Sequence, residues 1–315
     1  MRILAVDDDD IALDLLGNAL RGAGYTDLET ATSGAEAMDI ICKTDRPFDV
    51  FLLDIRMPGM DGIELCERIR NMDRYRRSPV VMITAMSERH FIDGAFAAGA
   101  IDYISKPFDP VELGVRIRIA ARLVDQAREV AKGQSEVDFL KSRSGLGNSF
   151  AAGDAIEIHD IPRVISQTAM ENYLLRLNLR MAYQTKSVAF SIAGFEALHA
   201  RTKASDVYDL LTDVAASIIY GLKHTQHLVT YCGNGGFVAV VHGRNSVVDD
   251  DTILTIQAVL DELEPTLSNG RPCPLTLGMG KVYVPGLLAA SERLNLLIKP
   301  QDKAHTTLTD LRRAA

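Results

Sequence analysis

Along the first 130 residues, short continuous apolar runs alternate with stretches of helical periodicity. The strand candidates are Ile3–Val6, Val50–Leu53 and Val80–Ile83, which are wholly apolar, and Leu28–Ala31 and Ile101–Ile104, which include polar residues. Residues 10–22, 34–43, 61–71, 88–98 and 109–130 lie between or after them and carry helix-length amphipathic patterns. Runs of Val, Ile and Leu with no alternation predict strands buried on both faces, and helices between them supply the cover. Five such units predict a doubly wound parallel sheet.

The pattern then changes. The last predicted helix carries Leu113, Ile117, Ala120, Val124, Ala127 and Ala131 at spacings of four and three, a short heptad-like seam. Residues 132–153 are rich in Gly, Ser and Ala and predict a flexible linker. Beyond them, residues 164–184, 204–222, 251–264 and 289–298 read as helices. Val188–Ile192, Leu228–Tyr231, Phe237–Val241 and Leu275–Gly280 read as strands, and Cys232-Gly233-Asn234-Gly235-Gly236 reads as a hairpin turn. This half is an α/β domain with a mainly antiparallel sheet. The expected division is 1–125, an extended helix and linker over 126–160, and a second domain over 161–315.

Length agrees with two domains: 315 residues at about 150 per domain. The net charge is −8, of which −7 falls in residues 1–130 (16 basic against 23 acidic). Neither half has the basic excess of a nucleic-acid binder, so no nucleic-acid partner is expected. No apolar run reaches the ~18 residues of a membrane span, and Met1–Val6 meets acids too early for a signal peptide. Cys42, Cys66, Cys232 and Cys273 show no metal-ligand spacing and fit free thiols in a reducing, cytoplasmic setting.

In open parallel sheets, ligands bind where strands end at their carboxyl edge. Asp7-Asp8-Asp9-Asp10 follow the first run, Asp54 the third, Thr84 the fourth and Lys106-Pro107 the fifth. Taken singly each has a structural explanation: Asp9 or Asp10 as a helix cap, and Asp54 as a turn residue before Met57-Pro58-Gly59. Taken together they place carboxylates, a hydroxyl and an ammonium on one edge. Such a set suits Mg²⁺ and phosphoryl oxygens.

Ile3–Asp9, Leu53–Gly62 (LDIRMPGMDG), Ile83-Thr84-Ala85 and Asp102–Phe108 (DYISKPF) together resemble the receiver domain of two-component response regulators. The resemblance implies a flavodoxin-like fold and Asp54 as phospho-acceptor. Asp8, Asp54 and the Arg56 backbone carbonyl would hold Mg²⁺, with Asp7 acting through water. Thr84 and Lys106 would contact the phosphoryl oxygens, Thr84 and Tyr103 would form the switch, and Lys106-Pro107 would be cis. The implied donor is a histidine kinase or phosphotransfer protein. Arg56 and Met86 stand where the family tunes phosphoryl lifetime; neither suits orienting an attacking water, so slow self-dephosphorylation is expected.

Over roughly 165–313 the element order resembles a GGDEF-type diguanylate cyclase domain, through the hairpin, Phe195, Leu210-Leu211, Val214-Ala215, Phe237 and Leu275–Gly280. Its chemistry is replaced throughout. The signature acids give way to Gly235-Gly236, the Asp-x-Asp strand motif to Ser191-Ile192-Ala193, and the base-reading pair to His199 and Tyr208. The inhibitory Arg-x-x-Asp site falls at His224–His227 and the late phosphate-contacting lysine at Thr309. His224 and His227 offer two nitrogens with no third metal ligand in sight. A degenerate, non-enzymatic output domain is therefore expected, acting on an unknown downstream protein or a second copy in a homodimer. The rivals are a cyclase surviving on substitute residues, a phosphate sink for a kinase, and a nucleotide sensor without turnover.

Overall fold

A computed structural model describes residues 1–85, 89–141, 150–159, 161–243, 246–285 and 293–298. It divides into two compact units, Met1–Leu146 and Gly147–Ala315. No helix among the described residues is long and apolar enough to cross a membrane.

The first unit contains strands β1 (Arg2–Val6), β2 (Asp27–Ala31), β3 (Val50–Leu53), β4 (Val80–Thr84) and β5 (Asp102–Ser105). They form one parallel sheet in the order β2-β1-β3-β4-β5. Helices α1 (Asp10–Gly22), α2 (Gly34–Lys43), α3 (Gly62–Arg70), α4 (Arg89–Ala97) and α5 (Pro110–Lys141) connect and follow the strands. Polar caps set where the first three begin. Asp9 accepts from the Ile11 amide at 2.9 Å, Ser33 from Glu36 at 3.2 Å and Asp61 from Glu64 at 2.8 Å. Every residue of β3 and β4 is buried, as continuous apolar runs require. Strand order reverses between β1 and β3, so the switch point lies where Asp7 and Asp54 leave the sheet.

The expected linker begins too early. Helix α5 continues through Gly133 to Lys141. One glycine costs a helix only about 1 kcal/mol, and the flanking Ala, Glu, Lys and Gln residues favour continuation. Leu113, Ile117, Ala120 and Val124 are buried in the sheet's own core, so the first half of the heptad-like seam is core packing of the first unit. Ala127 and Ala131 have side chains outside the described set. Residues 150–158 also depart from the linker reading: Phe150, Ala152, Ile156 and Ile158 pack into the second unit's core.

The second unit contains α6 (Gln167–Arg176), α7 (Leu179–Tyr183), β6 (Thr185–Ile192), α8 (Phe195–Arg201), α9 (Ala204–Gly221), β7 (Gln226–Tyr231), β8 (Gly236–His242), α10 (Asp250–Glu262) and β9 (Leu277–Met279). The sheet is antiparallel, in the order β7-β8-β6-β9. One face presents Val188, Phe190, Phe237, Ala239 and Val241 to Leu210, Leu211 and Val214 of α9 and Ile256 of α10. On the other, the His242 ring lies 2.7 Å from the Tyr173 hydroxyl of α6. The single helix expected over 164–184 is two, because Asn178 caps α7 through the Met181 amide. The short α8 was not legible in the sequence. Of the helix expected at 289–298, residues 289–292 lie outside the described residues, as does Thr309.

Candidate phosphoryl-acceptor site

The site forms at the carboxyl edge of the parallel sheet. Asp7 follows β1 and is fixed by its amide, which donates to the Ala31 carbonyl at 3.1 Å. Asp54 follows β3, and its amide donates to the Val6 carbonyl at 2.8 Å. Lys106 follows β5, and its amide donates to the Thr84 carbonyl at 2.8 Å. The sheet ladder thus positions three of these side chains through the backbone.

The Lys106 ammonium lies 2.6 Å from the Asp7 carboxylate and 3.3 Å from the Asp54 carboxylate. Asp7, Asp8 and Asp54 each bring one oxygen into a group within 4.8 Å of one another. Asp7 and Asp54 are buried, while Asp8 is exposed. Burial raises the Asp54 pKa to about 6; Lys106 opposes this, and the Asp7 and Asp8 charges add to it. Burial alone pulls the Lys106 pKa down, but its bond to Asp7 and the Asp54 and Asp7 charges outweigh that and raise it. Three carboxylates against one ammonium leave a local excess of negative charge. All three ligand atoms are hard oxygens, so the site fits a divalent cation that retains water.

Thr84 is fully buried at the end of β4, and Tyr103 is buried on β5 with its ring edge-on to Phe96 of α4 at 6.4 Å. The Lys106-Pro107 peptide is cis, as expected. Arg56 lies two residues after Asp54 with an exposed side chain; Met86 lies outside the described residues. The chain therefore brings Asp7, Asp8, Asp54 and Lys106 together directly, with Thr84 joined to Lys106 through its carbonyl. Asp9, the capping alternative, does cap α1.

Gly62 closes the Leu53–Gly62 motif without a role of its own in the sequence reading, yet it is essential to the geometry. A Cβ there would lie 2.0 Å from the Asp54 carbonyl oxygen. Only glycine lets the start of α3 pass against the backbone of Asp54. The Asp61-Gly62 pair, a cap followed by the smallest residue, is the signal in the sequence.

Residues 3–118 match the response regulator receiver domain family. The transcriptional regulatory protein CseB of Streptomyces coelicolor is 32% identical over 179 residues, covering 55% of this chain and 72% of that protein. The transcriptional regulatory protein YvrH of Bacillus subtilis is 37% identical over 133 residues, 42% of this chain. The chain spans about half the length of that relative, 54%. The chemotaxis response regulator CheY4 of Vibrio cholerae is 32% identical over 38% of this chain and 97% of its own, with a TM-score of 0.35. The chain belongs to the response regulators, with its receiver domain at the amino-terminal end.

Proposed function

We propose that Asp54 accepts a phosphoryl group from a phosphohistidine on a histidine kinase or phosphotransfer protein. The observation that carries this reading is the Lys106 ammonium held between Asp7 and Asp54 at the switch point. An Asp54 carboxylate oxygen forms the new bond to phosphorus while the phosphorus–nitrogen bond to the donor imidazole breaks. Lys106 offsets the charge of the incoming oxygens, and the Thr84 hydroxyl binds one of them as it turns toward the product. Asp8, Asp54 and the Arg56 carbonyl would hold Mg²⁺, with Asp7 acting through water. When bound, that ion supplies further neutralisation of phosphoryl charge. The product adds about −1.5 to −2 charge, which draws Thr84 inward and biases Tyr103 and the β4–β5 surface between two states.

The second domain is a degenerate GGDEF-like module, and its output is contact with another protein or a second copy of this chain. Its fold order supports this reading, as does the replacement of the metal-binding acids by Ser191, Ala193, Gly235 and Gly236.

The test is phosphoryl transfer from a small donor, acetyl phosphate with Mg²⁺, read by mass and by a phosphate-affinity gel. Wild type gains one phosphoryl group and Asp54→Asn gains none. Label on Asp54→Asn equal to wild type overturns the assignment. The same gel times the decay; a lifetime of minutes or longer is expected from Arg56 and Met86, and decay within seconds overturns that part.

A further inference from the structure

Residues 150–159, expected to be linker, are instead bound at both ends and in the middle by the second domain. The Phe150 carbonyl accepts from His199 Nε2 of α8 at 3.1 Å, and the two rings meet edge to face at 5.3 Å. The Asn234 amide, at the hairpin tip, donates to the Ala152 carbonyl at 2.6 Å. At the far end the His159 amide donates to the Tyr208 hydroxyl of α9 at 3.0 Å. Between these points the segment makes its own turn, the Ala151 amide donating to the Asp154 carboxylate at 2.8 Å. Ile156 and Ile158 sink into the core.

The hairpin is shaped for this segment. Gly233 has φ of +86°, and a Cβ there would lie 2.3 Å from the Gly153 carbonyl oxygen. A side chain at 233 would therefore collide with backbone, which cannot rotate away. The two positions where a cyclase-like domain is expected to read a base, His199 and Tyr208, both hold this segment.

We propose that residues 150–159 are a cis-acting peptide ligand of the second domain. They cover the surface spanned by the hairpin tip, His199 and Tyr208 as one cooperative strap, and exclude a purine nucleotide from it. The contacts lie within the second domain and do not depend on phosphorylation of Asp54, while the choice of a purine nucleotide rests on the GGDEF-like reading of that domain.

The experiment follows hydrogen exchange of the Asn234 and His159 amides in the full chain. Tyr208→Phe removes only the hydroxyl that His159 uses. If the strap is one unit, both amides speed up together by roughly 3- to 10-fold, the worth of one net hydrogen bond, while the Val240 amide in β8 is unchanged. Acceleration of His159 alone overturns the proposal, because the segment is then held piecemeal. Phe150→Ala, a change in the strap itself, answers the same question if Tyr208→Phe does not fold. A fluorescent guanine nucleotide with Mg²⁺ should show no saturable binding to wild type. Saturable binding while both amides stay protected also overturns it.

Discussion

His227 shows how burial sets the chemistry of one residue. It sits on β7 at 3% exposure, with Nδ1 3.0 Å from the Thr225 carbonyl oxygen, and its buried Nε2 has no hydrogen-bond partner among the described residues. Burial pushes its pKa down to about 4; the Arg163 charge adds to this, and the contact with Thr225 opposes it. His224 is exposed, so the histidine pair raised by the sequence differs in environment and shows no shared site. The pH dependence follows from the depressed value. The unfolded chain takes up the proton near pH 6.5 and the folded chain only near 4. Stability from this residue is thus full above pH 6.5 and is lost as pH falls toward 4, by roughly 3 kcal/mol in all. Urea unfolding of the second domain's signal should therefore weaken over that window in wild type. In His227→Gln the same decline should be shallower. Equal slopes in the two proteins would show that His227 is not the group responsible.

At the scale of elements, α3 starts hard against the end of β3, beside Asp54. Gly62→Ala places a methyl group against the Asp54 carbonyl, where neither backbone can move without disturbing the site. The expected cost is about 1–3 kcal/mol of receiver stability, together with slower phosphoryl uptake. Gly22→Ala is the control: nothing lies within 4 Å of a Cβ there, so uptake should be unchanged. Equal uptake by Gly62→Ala and wild type would show that the approach does not matter. The receiver's inner strands were legible because β3 and β4, buried on both faces, are plain apolar runs, with Asp9 marking the start of the first helix. The second unit was harder to read. Thr185 and Ser187 are polar yet buried on β6, so the strand starts before its apolar run. Asn178 interrupts an apolar-rich stretch that periodicity alone read as one helix. Residues 150–159 are too short and too irregular to show a periodic pattern, and long-range bonds to His199, Asn234 and Tyr208, with core packing of Phe150, Ile156 and Ile158, fix them. Local pattern carries no information about such partners.

For the whole molecule, the carboxylates and the lysine suited to phosphoryl chemistry gather, among the described residues, in the first unit. Among the described residues, Asp7, Asp8 and Asp54 are the one group with three ligands placed for a metal ion. In the second unit the hairpin tip offers Gly233, Asn234 and Gly235, all with positive φ, and no acid. Strand β6 runs out through Ser191 and Ile192, and the strap's Asp154 is tied to the Ala151 amide. Joining two nucleoside triphosphates requires charge neutralisation at both attacking and leaving oxygens, which metal ions held by carboxylates supply. Wild type activated with beryllofluoride and Mg²⁺ is therefore expected to make no cyclic dinucleotide from GTP, measured by mass spectrometry of the nucleotide pool. Product above that of a heat-inactivated sample would reverse the reading and make the second domain an enzyme with substitute residues. Asp54→Asn then separates the two possibilities further. Product that persists in Asp54→Asn would make the cyclase independent of the acceptor, whereas product lost in it would make the receiver its switch.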